Sequence, residues 1–353
     1  MSPTDPSSSN SLDPSFVGKH ITLFSSDATE LYKADIFRVL ALPSEHTIQF
    51  RYERQYVLEM FRENPSALIG REAVIFFLAG NDLQKKPEDR KLVPYPVRAC
   101  TVRDSFLDKG TDQVILILDL REFVDCEIDS VTDRLRLPPH AFVGEAQLDR
   151  MRESSWIERV RSIESHFPDT VFYRIQGIML ENSVTKPSYS EAKRLSFYLL
   201  DEESEYSIEC SCYDRGKGDT PLHIQCPSQD ISLSNSFENG VRARLDTKRL
   251  PLTTRGLTGR AAPAEAVFFT GKSGAPSDPN RVNLYWRLVR KPWKSAAFGS
   301  LTFLAAIGLG LSQGSYKDNS GNLLSICDVL TRLFGAVLVG IAAAQLFRFF
   351  NKT

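Results

Sequence analysis

Residues 295–311 (SAAFGSLTFLAAIGLGL) contain no charged side chain, and neither do residues 333–347 (LFGAVLVGIAAAQLF). A helix that crosses a bilayer needs about 20 mostly apolar residues, with a lower limit of roughly 17. The first run sits at that limit unless 312–316 joins it, and the second is long enough once extended back to Leu323. Both are apolar all round, which suits lipid or a deep core better than a one-sided surface. The sequence therefore predicts two transmembrane helices joined by a short polar turn at 317–325. A chain built this way must place its remaining mass beside a membrane.

Flanking charge orients the hairpin. Arg287, Arg290, Lys291 and Lys294 precede the first run, and Arg348 and Lys352 follow the second, while the turn carries only Lys317 and Asp318. Positive flanks stay inside, so both termini are expected in the cytoplasm, most simply at the inner membrane of a bacterium. Trp293, with Tyr285 and Trp286, stands where an aromatic belt would lie. Small residues recur every fourth position: Ala306, Gly310 and Gly314, then Ala336, Gly340 and Ala344. That spacing lets helices approach closely. It suits packing of the two helices on each other and equally suits a homo-oligomer. Asp328 and Arg332 lie four apart and can pair on one helix face.

Ahead of the hairpin the text is β-rich. Residues 1–16, full of Ser, Pro and Asp, have little to bury and are expected to be disordered. Candidate strands follow at 20–24, 33–40, 46–57, 73–78, 95–106 and 113–124. In the third, Ile48, Phe50 and Tyr52 alternate with Gln49, Arg51 and Glu53, the mark of a half-buried strand. Low apolar content and Pro138–Pro139 place a boundary near 129. Residues 147–166 read as a helix, with Met151, Ile157, Val160 and Ile163 near one face. A second set of strands is expected at 171–180, 195–200, 206–213, 222–226, 240–245, 266–270 and 281–289. The predicted fold class is mainly β: two antiparallel barrel- or sandwich-like domains at 17–128 and 169–290, a linker and bridging helix at 129–168, and the hairpin at 291–353.

Composition narrows the function. The 353 residues carry a net charge of −1, so no overall field recruits nucleic acid. No basic region followed by an apolar run opens the chain, so no cleavable leader is expected. The six cysteines form no small-domain disulfide framework. Gly271–Lys272–Ser273 ends like a phosphate-binding loop, but Ala266 stands where that motif needs glycine, and no helix follows. Cys210, Cys212, His223 and Cys226 are zinc-ligand types, yet His223 and Cys226 would face opposite ways along a strand. Core thiols are the simpler reading, and neither a metal nor another cofactor is expected. No nucleophile elbow or carboxylate pair stands out.

The strongest lead in the β-rich part is a basic stretch. Arg242, Arg244, Lys248, Arg249, Arg255 and Arg260 face only Asp246 across that span. Guanidinium forks bind phosphate bidentately, so the stretch predicts an anionic ligand such as a nucleotide or a lipid headgroup, unless it is simply a solvated face. The cluster at Arg281–Lys294 would attract anionic lipid at about 1 kcal/mol per residue. The leading expectation is a non-enzymatic, membrane-anchored binding or sensor protein that recognises a protein partner or an anionic small molecule. A second is a ligand-activated effector that oligomerises and perturbs the bilayer. In outline, this layout resembles two-helix membrane effectors of bacterial defence systems. A third is a membrane-tethered enzyme with its site assembled across the β domains.

Overall fold

The computed structural model describes residues 19–86, 89–126, 142–148, 150–168, 170–181, 183–213, 222–233, 246–256, 263–270 and 280–290. The tail at 1–16, most of the linker, the strand expected at 240–245, the Gly271–Lys272–Ser273 segment and the whole hairpin lie outside them. Among the described residues no helix is long and apolar enough to cross a membrane.

The first half holds strands β1 (Lys19–Ser26), β2 (Thr47–Glu53), β3 (Glu72–Ala79), β4 (Val93–Asp108), β5 (Gln113–Asp125), β6 (Val143–Gln147) and β7 (Arg152–Glu153). Its helices are α1 (Glu30–Ala41), α2 (Glu59–Glu63) and α3 (Trp156–Ile163). The second half holds β8 (Phe172–Leu180), β9 (Ser183–Thr185), β10 (Ser188–Ser190), β11 (Leu195–Asp201), β12 (Glu205–Tyr213) and β13 (Leu222–Gln225). It continues with β14 (Ile231–Leu233), β15 (Asp246–Thr254), β16 (Pro263–Thr270) and β17 (Val282–Val289). The described chain is mainly β.

The first sheet runs β2-β5-β4-β3-β1-β6, with β7 added to β5. Its edges meet. Beyond β2 the chain turns, and Val57 bridges Val143 of β6 in parallel. Phe142 donates its N–H to the Tyr56 carbonyl at 2.7 Å, and Leu58 donates to that of Val143 at 2.9 Å. Closure removes the exposed backbone that an edge strand would present. β3 is buried on both faces: Ala73, Ile75 and Phe77 point into the main core, while Val74, Phe76 and Leu78 join a smaller cluster with Leu148 and Met151.

Four expectations are corrected here. Residues 33–40 are helical, because Ile36, Phe37, Val39 and Leu40 are all buried on one side of α1. Adjacent apolar pairs spaced by three follow the 3.6-residue period of a helix, not the two-residue period of a strand. The helix expected over 147–166 is confined to α3. A capping box starts it: the Ser155 hydroxyl accepts the Glu158 N–H, and the Glu158 carboxylate accepts the Ser155 N–H. The pairing is not purely antiparallel, since β1 runs parallel to β3 and β11 parallel to β17. Parallel neighbours need a long crossover, which α1, β2 and α2 provide for the first pair. Finally, the strand expected over 46–57 stops at Glu53, where a 3-10 turn at Arg54–Tyr56 swings the chain toward β6.

The second half forms two five-stranded sheets, β10-β11-β17-β16-β13 and β14-β15-β12-β8-β9. Alternation sets their inner faces. Val282, Leu284, Trp286 and Leu288 of β17 are buried, as are Tyr206, Ile208, Cys210 and Cys212 of β12. These side chains share one core with each other and with the first sheet. The Tyr173 hydroxyl ties the sheets together by donating toward the carbonyls of Phe268 (3.0 Å) and Asn280 (2.6 Å).

Candidate functional site

Only part of the basic stretch is described. Arg249 is exposed on β15, opposite Glu209 in register and 3.9 Å from its carboxylate. Lys248 has its backbone opposite Cys210. Arg255 lies past the end of β15, exposed, its backbone N–H donating to the Asp230 carbonyl at 2.8 Å. A strand rises about 3.3 Å per residue, so Arg249 and Arg255 stand roughly 20 Å apart and do not converge. Arg242, Arg244 and Arg260 lie outside the described residues. Of the membrane-flanking set, Arg287 is half-buried on β17 and Arg290 follows that strand. Lys291, Trp293, Lys294 and Arg348 lie outside the described residues, as do Ala306, Gly310, Gly314, Ala336, Gly340 and Ala344. Cys210 and Cys212 are core residues, and burial pushes the Cys210 thiol well up. Among the described residues no group of three His, Cys, Asp or Glu is placed to hold a metal.

The described side chains that do converge lie where the closed sheet meets the paired sheets. Phe37 of α1 packs against Phe172 of β8 at 5.6 Å and Phe167 at 5.1 Å between ring centroids. Thr47 of β2 meets Ser196 of β11 twice, through its N–H at 3.0 Å and its hydroxyl at 2.8 Å. Arg103 lies 4.6 Å over the Tyr189 ring, and Arg194 lies 3.6 Å over Phe106. Lys186 pairs with Glu45 at 2.8 Å.

Arg98 and Phe123 sit directly opposite each other on β4 and β5. The Arg98 guanidinium is 4.4 Å from the Phe123 ring centroid, and that of Arg174 on β8 is 4.9 Å from the same centroid. Arg98 is fully buried. It donates to the carbonyls of Val39, Leu42 and Arg121 at 2.7 Å each, and to the Ser44 hydroxyl at 3.2 Å. Val39 and Leu42 are at the carboxyl end of α1, where carbonyls lack helix partners and the dipole favours a cation. Burial first, then the adjacent Arg174 charge, lowers Arg98 to about 9, so it stays protonated at neutral pH. Burial lowers Arg174 as well.

A neutral polar row continues from Arg174. β8 carries one extra residue, Gln176, at a bulge opposite Glu209–Cys210. Bulges re-aim side chains, and here the Gln176 amide donates to the Ser211 hydroxyl at 2.5 Å. Ser211 lies 2.9 Å from the Thr247 hydroxyl and faces Arg174 in register. Sequence reading overlooked this group because its members are scattered over five strands, β4, β5, β8, β12 and β15. One signal was available: Arg98 interrupts the apolar run Val97, Ala99 and Cys100.

No family model matches this chain. No curated protein matches it. Among solved structures it is similar to domains 4 and 5 of the S-layer protein SbsC, at 8% identity and a TM-score of 0.18, over 42% of this chain and 63% of that one. The chain thus spans less than two thirds of that structure. It is also similar to the secreted serine protease VesC from Vibrio cholerae, at 10% identity and a TM-score of 0.22, over 75% and 72% of the two chains. Neither likeness is close enough to carry an argument.

Proposed function

We propose that this protein is a non-enzymatic, membrane-tethered recognition protein. Its C-terminal hairpin holds two β-rich domains at the cytoplasmic face of a bacterial membrane, and those domains bind an anionic ligand or a protein partner. In this reading the closed sheet is a barrel domain that takes β1 to β5 from 17–128 and closes with β6 and β7 from 129–168, the paired sheets are a sandwich domain (169–290), and the remainder of 129–168 links them. One observation carries the tether. β17 lies between β11 and β16 with Trp286 fully buried, and it ends at Val289, shortly before the uncharged run that opens at Ser295. A strand held inside a sheet that close to a membrane segment leaves the domains almost no freedom to leave the surface.

The test compares the full chain with a version ending at Arg290. The full chain should pellet with membranes and need detergent to be released, and the shorter one should remain in the supernatant. Recovery of the full chain as a detergent-free soluble protein would sink the reading. The four-residue spacing of small residues in the hairpin supports a second reading, the oligomerising effector. It predicts dye leakage from vesicles that carry the full chain once ligand is present.

A further inference from the structure

Three partly or fully buried arginines have an Nε that no acceptor meets among the described residues: Arg54, Arg159 and Arg174. Two of them have acidic neighbours. Arg54 lies 3.7 Å from Glu63 and 3.8 Å from Asp112, and Arg159 lies 3.0 Å from Asp125. Arg174 has neither a carboxylate nor a carbonyl side-chain acceptor among the described residues, and its guanidinium lies against the Phe123 ring. Arg98, on that same ring, spends its donors on neutral oxygens. The strongest charge acting on Arg98 is Arg174, and the exposed Glu122 acts less. The junction thus gathers two cations; among the described residues Glu122 is the carboxylate that acts on Arg98, and no charge offsets the burial of Arg174. A buried charged donor without an acceptor is costly, and an ion or ligand is a standard reason for its persistence.

We infer that Arg174, with Gln176 and Ser211 beside it and Arg98 behind it, forms a binding site for the phosphoryl group of a phosphorylated small molecule. The guanidinium fork of Arg174 matches two oxygens of such a group. The Arg98 charge, fixed by four hydrogen bonds, adds attraction without itself moving. The Gln176–Ser211–Thr247 row offers amide and hydroxyl partners to further oxygens, and the Phe123 ring holds the Arg174 plane in place. This inference rests on the recognition reading for the existence of an anionic ligand, but it moves the site from the basic stretch to the junction.

The experiment is a thermal-shift titration of the full chain in detergent with inorganic phosphate, pyrophosphate and a set of nucleotides. A parallel arm measures binding to phosphatidylcholine vesicles with and without phosphatidic acid. Soluble phosphates should raise the Tm of the wild type, with no added effect of phosphatidic acid that depends on Arg174. Arg174→Gln should abolish the shift while leaving the unliganded Tm unchanged or higher, because it removes the repulsion of Arg98. Arg174→Lys, which keeps the charge but not the fork, should weaken binding at least about tenfold and still respond. Paired charge reversal, Arg242→Glu with Arg244→Glu, should leave the response intact. The inference is overturned if no phosphate shifts the wild type, or if Arg174→Gln responds as the wild type does. A response lost in the Arg242/Arg244 variant and kept in Arg174→Gln also overturns it, while leaving the recognition reading standing. A response to phosphatidic acid alone would overturn the small-molecule ligand.

Discussion

His46 is fully buried, with Nδ1 donating to the Thr47 carbonyl at 2.8 Å and its ring 6.1 Å from that of Tyr198. Burial holds its pKa down at about 4, against a usual value of 6.5. The folded protein therefore binds this proton less readily than the unfolded chain does. The stability that His46 contributes is complete above pH 6.5 and is lost as pH falls toward 4, to the extent of about 3 kcal/mol. His46→Gln should flatten Tm against pH in that window, and an unchanged acid slope would exclude His46 as its source. Asp35 acts in the opposite sense. Burial raises it to about 6 although Arg38 lies 3.2 Å away, so its contribution is lost as pH rises through 6. Arg98→Met should cost about 3–5 kcal/mol, because the carbonyls of Val39, Leu42 and Arg121 would remain buried without a donor. Arg98→Lys should rescue little, since an ammonium cannot span the fork geometry. Unfolding midpoints in denaturant measure both.

Whether a segment could be read at the scale of the element depended on how regular its pattern is. β17, and β2 from Ile48 onward, alternate cleanly and bury the face the alternation requires, while β12 alternates as far as Cys210 and is then buried throughout, Ser211 included. α1 carries its apolar residues in adjacent pairs, a pattern easily taken for a buried strand when no capping side chain marks its start; Thr29 makes no such bond. α3 is the reverse case. Its true start was written in Ser155 and Glu158, while the apolar residues ahead of it, Leu148 and Met151, are buried in the small cluster behind the first sheet. Ser155→Ala should lower stability by about 1 kcal/mol, read as a shift in the unfolding midpoint. Gly80 is a second sensitive point. Its φ is +80°, and an added Cβ would lie 2.3 Å from the Lys91 carbonyl oxygen. Gly80→Ala should thus destabilise by more than the roughly 1 kcal/mol that a strained φ alone costs.

For the whole molecule, the question is whether the closed sheet and the paired sheets act as one body. They share a continuous core and are joined by the Thr47–Ser196 hydrogen bonds, the Phe37–Phe172 packing and the Arg103–Tyr189 stack. A double-mutant cycle with Thr47→Val and Ser196→Ala should return a coupling of about 0.5–1.5 kcal/mol. Additive effects would show that the two halves do not support each other there. The candidate site belongs to this scale. Arg98, Phe123 and Arg174 come from β4, β5 and β8, so no local stretch of sequence holds them together.

By itself the sequence determined the β-rich character, the inward face of each regular strand and the uncharged carboxy-terminal runs. Each follows from composition or from a period of a few residues. Only the tertiary structure decided which strands pair, that β1 lies parallel to β3, that Val57 reaches Val143, and that two guanidiniums meet at one ring. Those choices depend on contacts between residues far apart in the chain, where the side-chain period specifies a face but not a partner.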